Sequence, residues 1–254
     1  MGRREYQEKK PLSRKLKRAP KPLEQYGSSN NVVIMKNHMK LDDIAAKTEA
    51  QRQAFDLIRD EKNVILHGVA GTGKTFISLY LALKDIADRA STKKRVVIIR
   101  SVVPTRDMGF LPGNDKEKTK VYEAPYRAIC EELFNRGDSY EILKTRRSIE
   151  FLSTSFVRGT TLNDAIVIVD EVQNMTFHEL DSVITRIGRN CQLILCGDFR
   201  QGDLQGREKS GIIDIMKILD RVKGFEHVEF FEEDIVRSGF VKSYIIEKTR
   251  LGYG

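Results

Sequence analysis

The stretch Asn63-Val64-Ile65-Leu66-His67-Gly68-Val69-Ala70-Gly71-Thr72-Gly73-Lys74-Thr75 decides how this chain folds. Its apolar run, Val64-Ile65-Leu66, reads as a short buried strand. Behind it Phe76, Leu79, Tyr80, Leu83, Ile86 and Ala87 recur at the spacing of one helical face. Strand, glycine-rich turn and helix, in that order, is the setting in which a G-x-x-x-x-G-K-T run cradles phosphate. Gly68, Gly71 and Gly73 let the main chain turn tightly and aim successive N–H groups at an anion. The opening helix adds the positive end of its dipole. The expected phosphate contacts are therefore Gly68, Val69, Ala70, Gly71, Thr72, Gly73, Lys74, Thr75 and Phe76. Lys74 reaches for the β- and γ-phosphates, and the Thr75 hydroxyl for Mg²⁺.

Outward from this loop, apolar strands alternate with helices. Strands are expected at Val32–Met35, Arg95–Ser101, Ile149–Ser153, Ala165–Glu171, Cys191–Cys196 and His227–Phe231. Helices are expected over Leu41–Arg59, Val121–Phe134, Phe177–Ile187 and Ser210–Asp220, and from Asp234 onward. Pro125 should lie in the first turn of its helix or break it, and Pro104–Lys120 should be loop. The pattern predicts an α/β fold with a doubly wound, mostly parallel sheet, whose ligands sit at the carboxyl ends of the strands. Lys74, Arg100, Asp170 and Asp198 all follow a strand. Asp170 is placed to hold Mg²⁺ jointly with Thr75, through water, and Glu171 to orient a water against the γ-phosphate. Gln201, in Gly197-Asp198-Phe199-Arg200-Gln201, has an amide that can donate to a phosphate oxygen and accept from that water. The Gln51 amide could read the adenine edge.

Of the chain's net charge of +8, six units lie in residues 1–24, where nine Lys/Arg face three Glu. Residues 1–31, rich in Pro and ending in Gly27-Ser28-Ser29-Asn30-Asn31, read as a disordered basic arm that meets a polyanion or is merely solvated. Residues 32–254 read as one domain. No apolar run approaches the ~20 residues needed to cross a bilayer, and no signal-peptide core is seen. A cytoplasmic protein without a membrane partner is expected. Cys130, Cys191 and Cys196 are odd in number and lack metal-ligand spacing, so they read as reduced core residues.

Several runs resemble the PhoH family of P-loop ATPases. They are Phe156-Val157-Arg158-Gly159-Thr160-Thr161-Leu162-Asn163-Asp164-Ala165, Val169-Asp170-Glu171-Val172-Gln173-Asn174-Met175-Thr176, Gly109-Phe110-Leu111-Pro112-Gly113, Pro125-Tyr126-Arg127 and Asp234-Ile235-Val236-Arg237. The resemblance spans roughly Leu41–Gly239, and the short length suits a compact phage-encoded member, which would act in a host cytoplasm. It implies a RecA-like domain similar to the first domain of superfamily 1 helicases, with ATP and Mg²⁺ as ligands. From it come the adenine role of Gln51 and the γ-phosphate-sensing role of Gln201. It also implies association with single-stranded nucleic acid, RNA ahead of DNA, and self-assembly, a hexameric ring being one form.

No second RecA-like domain follows within the 254 residues, so rapid hydrolysis is expected to need an arginine from a neighbouring copy. Arg237 is the first choice for that finger, with Arg186 and Arg189 behind it. The Arg106–Lys120 loop, with Phe110, is a candidate nucleic-acid contact or an oligomer contact. Two rival readings remain. One is a nucleotide-dependent switch or scaffold that binds nucleic acid without unwinding it, and the other a small-molecule kinase.

Overall fold

The computed structural model describes residues 33–35, 39–102, 115–198 and 214–251; for 33–35 and 115–119 it describes the main chain only. The chain divides into two units, Met1–Asn31 and Val32–Gly254, and all that follows concerns the second. The proposed basic arm, Gln201 and the loop around Phe110 lie outside the described residues.

Six strands form one sheet. They are β3 (Asn63–Gly68), β4 (Arg95–Arg100), β5 (Ile149–Ser153), β6 (Ala165–Val169), β7 (Cys191–Gly197) and β8 (Phe225–Phe230). Their order is β5-β4-β6-β7-β3-β8, and every neighbouring pair is parallel. A separate antiparallel pair joins β1 (Val33–Met35) to β2 (Met39–Leu41). The doubly wound α/β fold expected from the sequence is present.

The apolar runs are continuous because both faces of the sheet are covered. Val64, Leu66, Val96, Ile98, Ile166 and Ile168 pack on one side, beneath α1 (Glu49–Arg59), α2 (Lys74–Ala87) and α3 (Asp115–Phe134). Ile65, Val97, Ile99, Val167 and Val169 alternate to the other side. They meet α6 (Phe177–Ile184) and a helical segment over residues 214–219 (α7). Two short helices, α4 (Ser139–Thr145) and α5 (Thr154–Val157), flank β5, and α8 (Gly239–Arg250) closes the described chain. One strand, β7, separates the phosphate-loop strand β3 from β6, whose end carries Asp170. That is the RecA-like arrangement.

Several boundaries differ from the sequence expectation. Helix α1 starts at Glu49 rather than near Leu41, because Thr48 caps it by accepting the Gln51 N–H at 3.3 Å. Residues 115–120 are helical rather than loop, and α3 runs through Pro125 without a break. Proline's fixed φ suits a helix, and its cost is one missing N–H bond and crowding one turn back. The inward stripe Tyr126, Cys130, Leu133 and Phe134 offsets that cost by burial. At the carboxyl end, residues 235–238 are non-helical and α8 begins only at Gly239.

Gly68 ends β3 with φ +120, and a Cβ there would lie 2.0 Å from the Phe230 carbonyl oxygen. Main chain cannot yield as a side chain does. Gly68→Ala is therefore expected to destabilise the fold by about 3 kcal/mol or more, lowering the thermal midpoint by roughly 6–12 °C. A melt by circular dichroism checks this; an unchanged midpoint would contradict the close approach of β3 and β8.

Candidate nucleotide site

The phosphate loop is held from outside by its carbonyl groups. Gly71 O accepts the Val236 N–H at 3.1 Å, and Thr72 O accepts the Gln51 amide at 2.9 Å. The Val69 N–H donates to Phe230 O at 3.0 Å. The Thr72 hydroxyl closes the turn on Val69 O at 3.0 Å. Gly71 and Gly73 both take positive φ, +78 and +84, which L side chains rarely adopt. The first N–H groups of α2 have no intrahelical partner, and the helix opens directly from the loop at Gly73. This is an anion cradle with its carbonyls tied back.

Lys74 bridges the cradle. Its ammonium donates to Gly68 O at 2.9 Å, Val69 O at 2.8 Å and Thr72 Oγ1 at 3.3 Å. Burial lowers its pKa, while Asp198, Cys196, Glu171 and Asp170 pull it back up. A phosphate arriving in the cradle would supply the negative charge that the carbonyls replace only in part.

Across the cavity, the Thr75 hydroxyl donates to Asp170 Oδ1 at 2.8 Å, joining residues 95 positions apart in the chain. Asp170 is 4% exposed, and its main-chain N–H donates to Ile99 O at 2.9 Å. Burial raises its carboxyl pKa, and the charge of Glu171 adds to this; hydrogen bonds from Thr75 and Tyr126 and the Arg100 cation work the other way. Two hard oxygen donors from different elements match what Mg²⁺ takes from a protein when phosphates and waters fill its other positions. Among the described residues no cluster of three or more His, Cys, Asp or Glu forms a cage of its own. The residues present therefore fit a magnesium ion delivered with a nucleotide, held by Thr75 and Asp170.

Glu171 sits at φ +55, in the left-handed region, where a non-glycine residue is strained. The Gln173 side chain braces it, donating to Glu171 Oε2 while accepting the Asp198 N–H at 3.1 Å. Gly197 leaves room for this brace, since a Cβ there would come within 2.7 Å of Gln173 Oε1. The sequence singled out Gln173 only as part of a family run; nothing in its local spacing marks it as a brace.

Gln51 and Arg237 both stand against the phosphate loop. Gln51 is 3% exposed, and its amide is engaged at both ends: it donates to Thr72 O and accepts the Lys47 N–H at 2.8 Å. In this position it props the loop, and reading adenine would require its second lone pair or second N–H. The Arg237 stem lies on Gly71 of its own chain, where a Cβ would be 3.1 Å from Arg237 Cγ. The residue lines the same cavity as Lys74, Asp170 and Glu171. Arg237 thus lines its own chain's cavity, where the Val236–Gly71 bond anchors its segment. Arg186 and Arg189 lie between α6 and β7, at the amino end of the sheet and away from the loop. The cavity measures about 670 Å³, a size that holds a nucleotide. Arg100 and Pro125 line it as well.

The family description "PhoH-like protein" matches residues 43–248. The chain belongs to the PhoH-like family. A PhoH-like protein of Synechocystis is 34% identical over 204 residues, covering 80% of this chain and 61% of the relative. A PhoH-like protein of Bacillus subtilis is 34% identical over 225 residues, with 88% and 69% covered. Protein PhoH of Escherichia coli is 30% identical over 218 residues, with 85% and 61% covered. This PhoH-like chain thus spans about six to seven tenths of these relatives' lengths. Among solved structures it is similar to the large terminase of a thermophilic bacteriophage, with a TM-score of 0.47, 14% identity, and 78% of this chain and 49% of that one covered. It is also similar to unliganded Pif1 from Bacteroides, with a TM-score of 0.42, 16% identity, and 78% and 43% covered. The fold assignment rests on the strand order above. Family membership and site geometry together mark the cavity as a P-loop nucleotide site. No helix among the described residues is long and apolar enough to cross a membrane.

Proposed function

We propose that this PhoH-like chain is a Mg²⁺-dependent ATPase that works on single-stranded nucleic acid as a self-assembled particle. The observation that carries the reading is the 2.8 Å contact between Thr75 and Asp170 opposite Lys74, a lysine and a metal pair facing one cavity. Magnesium, when bound with the nucleotide, would neutralise phosphate charge. Lys74 and the loop N–H groups hold the transferring phosphoryl group, and Glu171, braced by Gln173, orients the attacking water. Arg237 adds a cation to the same site in cis, and Gln201 senses the γ-phosphate.

Self-assembly is supported by α8. Ile245 of this helix leans on Gly71, whose Cβ would lie 3.2 Å from it, while Phe240 and Tyr244 are 82% and 62% exposed one turn apart. A copy docked on that face would press on the wall of the nucleotide site. Nucleic-acid binding rests on the basic segment 1–31 and the segment Arg106–Lys120, with single-stranded RNA as the first polymer to try and DNA as the second.

The test is ATP turnover with and without Mg²⁺, then with single-stranded RNA or DNA added, followed by strand displacement. Stimulation by one polymer with displacement supports the reading; stimulation without displacement favours the scaffold reading, and no Mg²⁺-dependent turnover overturns both. Light scattering in nucleotide reads assembly. Arg237→Ala should lower turnover at least about tenfold. Mixing it with an inactive Lys74→Ala chain should restore nothing if Arg237 acts in cis. Recovery on mixing would return Arg237 to the neighbour's site.

A further inference from the structure

The Pro125-Tyr126-Arg127 run is a sequence motif that the reading above leaves without a task. In the structure it fastens α3 to the nucleotide site. Pro125 lines the cavity, and Arg127 pairs outward with Glu141 while its guanidinium stands 5.5 Å from the centre of the Tyr140 ring. Tyr126 points inward and is fully buried, its ring 5.8 Å from that of Phe151. Its hydroxyl donates to Asp170 Oδ2 at 2.9 Å.

A buried phenol must find an acceptor, and most side-chain hydrogen bonds go to main chain or water. Tyr126 instead takes one oxygen of the carboxylate assigned to the metal. Thr75 holds the other. Beside the phenol stands Arg100, whose positive charge acts on Tyr126 and whose guanidinium lies 5.9 Å from the Tyr122 ring centre. Tyr122 and Tyr126 both lie on α3, so one helix brings the phenol to Asp170 and an aromatic ring to Arg100. Once Thr75 turns its oxygen to a metal, Tyr126 is the neutral donor that still fixes the Asp170 carboxylate.

We propose that Tyr126, with the Arg100 cation beside it, is a positioning residue that holds Asp170 in the orientation presented to the metal–nucleotide complex. The proposal rests on the cavity being a Mg²⁺–nucleotide site. The competing view is a buried tyrosine whose hydroxyl found the nearest acceptor. Outer partners of metal ligands are worth about 10–100-fold in metal affinity, whereas a merely structural hydroxyl leaves that affinity alone.

The test is binding of a methylanthraniloyl ADP, measured in EDTA and across a MgCl₂ titration. In the parent protein Mg²⁺ should tighten binding; if it does not, the reading of the site fails before Tyr126 is tested. Tyr126→Phe keeps the ring and its contact with Phe151. Its affinity in EDTA should stay within about twofold of the parent, while the Mg²⁺ midpoint rises about 10–100-fold and saturating Mg²⁺ restores binding. A midpoint equal to the parent's, with only the thermal midpoint lowered, overturns the proposal. Where that variant does not fold, Arg100→Gln removes the cation beside the phenol and should raise the same midpoint about 10-fold, the lower end of that range. An unchanged midpoint there overturns the proposal as well.

Discussion

Lys74→Ala is expected to lower ATP turnover by about 10²–10³-fold, the usual cost of removing one preorganised donor from a developing charge. The geometry makes two contributions to this loss. The ammonium now ties Gly68 O, Val69 O and Thr72 Oγ1 together, so its removal leaves three acceptors without their shared donor and loosens the loop. It also faces Asp170, Glu171 and Asp198 across the cavity, so without it those carboxylates repel the arriving phosphates with less positive charge against them. Nucleotide affinity should therefore fall alongside turnover. Lys74→Arg should recover little, because a planar guanidinium does not reproduce three converging bonds from one nitrogen. Steady-state turnover and nucleotide titration check both statements. Turnover at the parent rate would remove Lys74, and with it the assigned cradle, from the chemistry.

Glu171→Gln should produce the second large effect and the opposite pattern. Turnover is expected to fall about 10²–10⁴-fold, the range for losing a positioned base. Binding of nucleotide with Mg²⁺ should survive. The amide is nearly isosteric and can still accept the Gln173 N–H, so the brace that ties Glu171 to the Asp198 main chain persists. Asp170 also benefits, because the Glu171 charge is one of the two causes that raise its pKa. A neutral neighbour leaves Asp170 ionised more readily and the metal pair intact. The informative measurement is the ratio of the two constants. A variant that loses binding and turnover in parallel would make Glu171 a metal ligand or a structural residue, not the group that orients water.

Lys74 and Thr75 were legible because their chemistry and geometry reside in one contiguous run, with strand before and helix after. The buried strands were legible for a similar reason: a sheet covered on both faces demands unbroken β-branched runs, and Ala165–Val169 is such a run. Helix starts were less so. Apolar periodicity alone placed the start of α1 too early, because the Thr48 cap that fixes it is a side-chain contact outside that pattern.

Local sequence determined the cradle, the parallel α/β sheet and the candidacy of Asp170 and Glu171, because each depends on neighbours a few residues away. Only the tertiary structure decided which groups meet. Thr75 and Asp170 lie 95 residues apart, and Tyr126 and Asp170 44 apart. Strand order brings the first pair together, and the docking of α3 on the sheet brings the second. The same packing turned Gln51 inward to prop Thr72 and laid Arg237 on its own loop. Side-chain periodicity reports which face of an element is buried, but the partner across that face is set by the order in which strands stack and helices cross.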